Sequence, residues 1–345
     1  MKLLVITQAI DLDDPTLSVY HRWVEELASR TDVRVVCLKL GRNTLPAHVP
    51  VFSLGKEKGE ATAFTYAFRF VRHIVQNRSE YDAVFVHMNQ EYVLLGGLLW
   101  KLWGKRVYLW RNHHAGNILT DTAALFATKI FCTSKYSYTA KYRKTVRMPV
   151  GVDVDQFAPD NEVLRAKQSV LFLGRLDASK RPEVFLEALG LLKKKGVSFS
   201  ADIVGSPTDP QSRFLQHLRD LSRERGLSAH VAFHPGVPNR EVLAQYRHHE
   251  VYVNCSSSGM YDKTIFEAMA SGCLILASNR NLQGSVHPRF LFKEEDVTDL
   301  AEKLEALFSL SLEEKRRYQK ELRDFVVEHH GLRTLGMRLM EEMRP

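Results

Sequence analysis

The stretch from Val251 to Ala277 restricts the fold more than any other part of the sequence. An apolar run, Val251-Tyr-Val-Asn-Cys255, leads into a loop of small polar residues that begins Ser256-Ser-Ser-Gly259. A short helical segment carrying Glu267 follows, and Cys273-Leu-Ile-Leu-Ala277 is a second apolar run. Strand, loop, helix and strand in that order make one α/β unit. Its loop delivers small residues and amides to the carboxyl end of a parallel sheet. There a helix N-terminus offers unpaired N–H groups and a positive dipole end to an anion. Glu267, a turn or two along that helix, is an acceptor within reach of sugar hydroxyls. The stretch predicts the phosphate-and-ribose end of a nucleotide-sugar site.

The same alternation runs through the whole chain. Apolar strands are expected at residues 2–6, 33–38, 49–53, 81–87, 106–110 and 129–133. Helical spacing falls between them at 18–30, 62–77, 91–102 and 134–142, the last capped by Ser134. The segment 91–102 is apolar on most faces and is expected to be buried. After the punctuated link Met148-Pro-Val-Gly-Val-Asp-Val-Asp-Gln-Phe-Ala-Pro159 the pattern restarts. Strands at 170–173, 200–204 and 231–234 alternate with helices at 182–195, 212–225 and 240–247, ahead of the unit already described. Helices at 297–308, 312–328 and 333–343 close the chain. Such alternation means an α/β fold of two Rossmann-like, doubly wound domains, expected to face a central cleft. Residues 1–147 form the expected first domain and 148–328 the second, with a last helix within 329–345 crossing back to the first.

A length of 345 residues agrees with two cores rather than one. Cys37, Cys132, Cys255 and Cys273 have no CxxC spacing and read as reduced residues in or near the core of a cytoplasmic protein. The apolar start, Met1-Lys-Leu-Leu-Val-Ile, is too short for a signal peptide and reads as a first strand. The apolar run Tyr92–Trp100 is too short to span a bilayer. Charge is distributed unevenly. Residues 61–150 hold thirteen Lys and Arg against four Asp and Glu, a net of +9, which leaves about −1 for the rest of a chain of net +8. The first domain is therefore expected to meet something anionic. Within it, Phe64-Thr-Tyr-Ala-Phe-Arg-Phe-Val-Arg mixes aromatics with arginines, and Tyr136, Tyr138 and Tyr142 stand beside Lys135, Lys141, Arg143 and Lys144. The aromatics are expected in the core. The net charge predicts peripheral contact with the inner face of an anionic membrane. No nucleic-acid recognition motif accompanies the basicity.

Leu171-Phe-Leu-Gly-Arg-Leu-Asp-Ala-Ser-Lys180-Arg-Pro182 is the second informative stretch. A strand ends at Gly174, where a ligand can approach the backbone, and Pro182 suits the first position of a helix. Arg175 supplies a planar fork for phosphate oxygens and Lys180 a compact charge, a pair suited to a leaving diphosphate. Two loop cations alone are more often simply solvated; beside the Ser256–Glu267 stretch they read as functional. Asp11-Leu-Asp13 and Asp153-Val-Asp155 have Asp-x-Asp spacing but sit in a turn and in the link. Neither is expected to hold a metal, and Asp153 is expected to cap or hydrogen-bond backbone.

Gly174-Arg175-Leu176 with Lys180, Gly151-Val-Asp153 with Phe157, Phe233-x2-Gly236-Val-Pro, and Phe266-Glu267-Ala-Met-Ala-Ser-Gly272 resemble the family 4 retaining glycosyltransferases of the GT-B fold. The resemblance covers the second domain and, more loosely, the first. It implies metal-independent transfer of a hexosyl-type sugar from a nucleoside-diphosphate sugar, UDP- or GDP-linked, with no cofactor. The acceptor it implies is a glycan or lipid-linked molecule, as in polysaccharide or lipopolysaccharide biosynthesis. By this resemblance His113, Arg175 and Lys180 serve the reacting centre. Donor binding falls to Gly174, Arg175, Lys180, Gly205, Gly236, Gly259, Met260, Tyr261, Asp262, Lys263, Thr264 and Glu267. His87 is a weaker acceptor-side candidate.

Two positions depart from the family pattern. Gly259 stands where the family has a glutamate eight residues before Glu267, so Asp262 or Lys263 is left to read the sugar. The loop from Thr7 to Ser18 contains no glycine. These departures motivate an alternative, a non-catalytic GT-B subunit that binds a nucleotide or glycan and supports an active partner.

Overall fold

The computed structural model describes residues 1–14, 17–59, 61–160, 162–209, 211–256 and 259–344, with the side chain of Arg240 left aside. Ser257 and Ser258 of the expected anion loop, Pro15 and Thr16 of the first loop, and Pro345 lie outside the described residues. The chain divides into two compact units, Met1–Gly151 with Leu332–Pro345, and Val152–Gly331.

The first unit runs β1 (Lys2–Ile10), α1 (Val19–Ala28), β2 (Asp32–Leu40), β3 (Val51–Ser53), α2 (Ala63–Gln76), β4 (Ala83–His87), α3 (Gln90–Leu102), β5 (Arg106–Trp110), α4 (Ile118–Phe126), β6 (Lys129–Cys132) and β7 (Thr145–Arg147). Its strands form one sheet in the order β3-β2-β1-β4-β5-β6-β7, with every pair parallel. A parallel sheet needs cover on both faces, and alternate strand residues feed two cores. Leu3, Val5, Val35 and Phe85 pack with Trp23 and Leu27 of α1. Leu4, Ile6, Val84 and Leu109 pack with Phe70 of α2, Trp100 of α3 and Ala123 of α4.

The second unit runs β8 (Ser169–Leu173), α5 (Pro182–Lys194), β9 (Ser200–Val204), α6 (Phe214–Glu224), β10 (Val231–His234), α7 (Asn239–His248), β11 (Val251–Asn254), α8 (Lys263–Ala270), β12 (Leu274–Ala277), α9 (Val297–Phe308) and α10 (Leu312–His330). Its sheet has the order β10-β9-β8-β11-β12, again all parallel. Both units are doubly wound. In each, the chain leaves the central strand in one direction and returns on its other side, which creates a switch point between β1 and β4 and another between β8 and β11. The last helix, α11 (Leu332–Met343), belongs to the first unit, where Leu335, Leu339 and Met343 join the core beneath α1.

Local signals placed most of these elements. Pro182 opens α5, after Arg181 in a left-handed turn at φ 50°. Ser311 and Glu314 form a capping box at the start of α10. Other readings need correction. β1 runs to Ile10 rather than residue 6, because Ala9 and Ile10 find partners in Lys39 and Leu40 of β2. The expected helix at 134–142 is a single 3₁₀ turn, Tyr138–Lys141. Ser134 closes a local turn by accepting from the Tyr136 amide at 3.0 Å, and the chain goes on into β7, which periodicity missed because it is three residues long. Helix α3 is not wholly buried, since Leu98 and Leu102 are 57% and 73% exposed. Nor are all the aromatics of α2 in the core. Phe70 is buried, whereas Phe64 and Phe68 are 79% and 58% exposed. All four cysteines are buried and free, with no sulfur–sulfur link.

Candidate functional site

At the carboxyl end of the second sheet, the loops after β8 and β11 flank the switch point. Gly174 follows β8, and its amide donates to Val204 O at 3.1 Å. Gly205 follows β9, and a Cβ placed there would lie 2.0 Å from the Gly174 carbonyl oxygen, so the two loops touch through backbone that only glycine permits. Gly236, after β10, donates its amide to Ser206 Oγ at 3.0 Å. Gly174, Gly205 and Gly236 thus line adjoining strand ends.

Arg175 projects outward. Its side chain is 62% exposed and its Nε lies 3.8 Å from Asp177 Oδ2, a loose pairing. Lys180 is held differently. Its ammonium makes a direct ion pair with Asp262, and the two side chains are only 20% and 15% exposed. Asp262 is the N-cap of α8. Its carboxylate also accepts from Asn254 Nδ2 at 3.0 Å, Ser256 Oγ at 3.2 Å and Thr264 Oγ1 at 2.8 Å. Burial by itself would raise the pKa of this carboxyl. The Lys180 charge and the hydrogen bonds from Asn254 and Thr264 instead hold it well below the usual carboxylate range. The Lys180–Asp262 pair therefore ties the β8 loop to the β11 loop across the switch point.

Behind that pair lies a polar layer that the sequence did not single out. Tyr252 Oη donates to Thr264 Oγ1 at 2.7 Å, and Asn254 Nδ2 lies 3.1 Å from Tyr252 Oη. Asn279 donates to Met260 O at 2.6 Å, and Tyr261 Oη donates to Asn281 O at 3.0 Å, which fixes the Met260–Tyr261 segment onto the end of β12. A cavity of about 420 Å³ opens there, lined by Asn279, Arg280, Lys293 and Glu294 among others. The signal for this layer was present in the sequence: Asn254 ends one otherwise apolar strand, and Ser278 and Asn279 directly follow another.

Glu267 sits in the second turn of α8 and is 2% exposed. It accepts from Tyr246 Oη at 3.3 Å. Burial raises its pKa, against the nearby Lys263 charge, which opposes the shift. Lys263 is lowered by burial in turn, with Glu267 and Asp153 acting the other way. Gly259 has φ +145°, and among the described residues no heavy atom beyond its own chain neighbours lies within 4 Å of where its Cβ would be. The position where the family carries a glutamate is open space. Asp262 is not turned toward it, since its oxygens are committed to Lys180, Asn254, Ser256 and Thr264.

The structure brings the twelve donor-binding residues named from the sequence to the carboxyl end of the second sheet. His113 belongs to the first unit, on the loop after β5. Its ring is exposed, accepts from the Ala115 amide at 3.0 Å and stacks on His114 with centroids 4.6 Å apart. His87, at the end of β4, is 3% exposed and packs against Tyr20, centroid to centroid 3.9 Å. The Asp-x-Asp pairs are engaged with protein. Asp13 forms a two-pronged pair with Arg42, Asp11 meets Lys39 at 3.1 Å, and Asp153 accepts from the Gln156 amide at 3.0 Å.

Residues 155–324 match the family described as Glycosyl transferases group 1. The match lies inside the second unit and contains every site residue named there. A D-inositol 3-phosphate glycosyltransferase of Paenarthrobacter aurescens is 30% identical over 141 residues, 38% of this chain and 34% of that protein. A GDP-mannose-dependent alpha-(1-6)-phosphatidylinositol monomannoside mannosyltransferase of Mycolicibacterium smegmatis is 28% identical over 122 residues, 32% of this chain and 31% of that protein. The chain spans about a third of the length of these curated relatives. The crystal structure of Anabaena HepE in complex with UDP and glucose superposes with a TM-score of 0.75 at 16% identity, over 99% of this chain and 98% of that one. Agreement over both chains shows the fold: two Rossmann-like domains of the GT-B class.

Proposed function

We propose that the protein is a retaining, metal-independent glycosyltransferase of family 4 that moves a hexosyl group from a UDP- or GDP-sugar to a glycan or lipid-linked acceptor. One observation carries the reading. The loop after β8 that carries Arg175 and Lys180, the N-terminus of α8 and the buried Glu267 lie at the switch point of the second sheet, where a doubly wound fold binds nucleotides. In this reading Arg175 and Lys180 take the diphosphate, and the backbone from Met260 to Thr264 adds amides at the positive end of α8. Glu267 receives the ribose hydroxyls; Gly174, Gly205 and Gly236 let the nucleotide approach the strand ends, and His113 meets the donor sugar.

The bond from the sugar's anomeric carbon to the phosphate oxygen breaks, and the leaving diphosphate takes the electron pair. Fixed cations and amides stabilise that charge as it develops, and they are already in place before reaction. The acceptor hydroxyl forms the new bond on the same face of the sugar, and its proton passes to the departing phosphate oxygen. Retention follows from that same-face attack. The curated relatives' names support a sugar donor and an inositol or lipid-type acceptor. The basic charge of residues 61–150 supports peripheral contact with an anionic membrane.

Arg175→Ala and Lys180→Ala should each weaken nucleoside-diphosphate binding by about tenfold to a hundredfold, the range of a lost charged hydrogen bond. Glu267→Gln should weaken the binding of nucleotides while sparing inorganic diphosphate. Calorimetric titration with UDP, GDP and inorganic diphosphate reads both effects; unchanged affinities would reject the site. A second reading, a non-catalytic binding subunit, draws support from Gly259 and from the commitment of Asp262 to Lys180. Sugar transfer by the purified chain on a panel of nucleotide sugars separates the two.

A further inference from the structure

The outward side of the layer α2–α3–α4 is apolar. On α3, Leu98 and Leu102 are exposed, with Leu95 on the same stripe. On α4, Ile118 and Leu125 are 77% and 76% exposed. On α2, Phe64 and Phe68 lie four residues apart on one side of the helix. The three helices form one layer, because Phe70, Trp100 and Ala123 on their inner sides share a single core. Scattered apolar residues are ordinary on a protein surface, whereas a row of them across adjacent helices marks an interaction surface.

Charge identifies the occupant. Lys101 is exposed on α3 beside Leu102, and it lies near enough to Lys144 that, after burial, its repulsion helps to lower the Lys144 pKa. At the other margin, Lys58, Arg69, Arg72 and His73 line a cavity of about 410 Å³ against Phe52 of the edge strand β3. Among the described residues the acids on this side include Glu57, which accepts from Ser53 Oγ at 2.8 Å beside that cavity, Glu91 at the start of α3, and Asp121, which is engaged by Lys141, Tyr138 and Tyr142. A second copy of this face would set cation against cation. An anionic lipid surface offers phosphates to the rim and hydrocarbon to the centre. Among the described residues no helix is long and apolar enough to cross a membrane, so the contact is one of lying on the bilayer.

We propose that the α2–α3–α4 face docks on an anionic bilayer, with Phe64, Phe68, Leu98, Leu102 and Leu125 entering the headgroup–acyl boundary and the flanking cations pairing with lipid phosphates. This assigns a surface to the membrane contact proposed above and does not depend on sugar transfer.

The test is co-sedimentation of the full chain with phosphatidylcholine vesicles with and without phosphatidylglycerol. Binding is expected to the mixed vesicles and to fall as salt rises. The triple variant Leu98→Asp/Leu102→Asp/Leu125→Asp should lower partition by about tenfold or more, and Lys101→Glu by several-fold. Leu164→Asp/Leu312→Asp, exposed apolar residues of the second unit, should leave it unchanged. Thermal melts and UDP titration of each variant show that it is folded. Equal binding of the triple variant and the parent overturns the proposal, as does equal binding to neutral and anionic vesicles. So does a dimer in sedimentation velocity that the triple variant dissolves without any vesicle binding. Loss of nucleotide binding with vesicle binding intact would instead count against the sugar-transfer reading alone.

Discussion

Asp262 is where a single residue does most to organise the site. A loop that exists to bind phosphate would ordinarily leave its lysine open, yet here the Lys180 ammonium rests on a carboxylate that also caps α8. Removing one partner of a largely buried pair leaves the other charge without compensation, and the cap is lost as well. Asp262→Ala is therefore expected to destabilise the second unit by about 3 kcal/mol, read by urea unfolding followed by circular dichroism. Lys180→Met should cost less, because Asp262 keeps its bonds from Asn254 and Thr264. His330 contributes a pH dependence of its own. It packs on Phe266 with centroids 4.5 Å apart, and burial lowers its pKa from 6.5 to about 4. The unfolded chain protonates this histidine below pH 6.5, whereas the folded chain does not until about pH 4. Its contribution is thus complete above the upper value, falls as pH drops through the window and is flat below the lower one. His330→Phe should flatten the fall in unfolding free energy between pH 7 and pH 4 relative to the parent; an identical slope would show that the ring is charged in the fold.

Among the elements, α11 shows that sequence order and domain membership differ. It follows α10 directly, but its Leu335, Leu339 and Met343 complete the core that Trp23 and Leu27 begin. Met343 O also accepts from Tyr108 Oη at 3.0 Å, and Lys129 pairs with Glu342 at 2.7 Å. Leu339→Ala should cost the first unit about 2–5 kcal/mol, the range for truncating a buried leucine. All four tryptophans, at 23, 100, 103 and 110, lie in that unit, so tryptophan fluorescence reports its unfolding. The fluorescence midpoint should drop in this variant, whereas a drop confined to the far-ultraviolet signal would place α11 with the wrong core.

For the whole molecule, nucleotide binding and stability are linked by mass action. A ligand that binds only the folded state adds about 2.7 kcal/mol at one hundred times its dissociation constant. A thermal-shift screen of UDP, GDP and ADP and their sugars should therefore raise the melting point for one base above the others. Absence of any shift at millimolar nucleotide would remove the donor site from the second unit.

The sequence by itself determined the fold class and the positions of the motifs. Short apolar runs separated by helices admit few solutions other than a parallel sheet, and the Gly174–Pro182 and Ser256–Glu267 stretches mark the loops at its strand ends. Both signals are local, and each can be read within about twenty residues. What the tertiary structure alone decided was pairing between segments far apart in sequence. Nothing near Lys180 predicts that its charge would be answered by a residue 82 positions on, because that contact exists only once β8 and β11 lie side by side. The same holds for the exposed leucines of α3. A helix apolar on most faces reads as buried, and only the packing of α2 and α4 against one face of the sheet shows that its far side was left uncovered. Periodicity records how apolar a side chain is; which neighbour covers it is settled by topology.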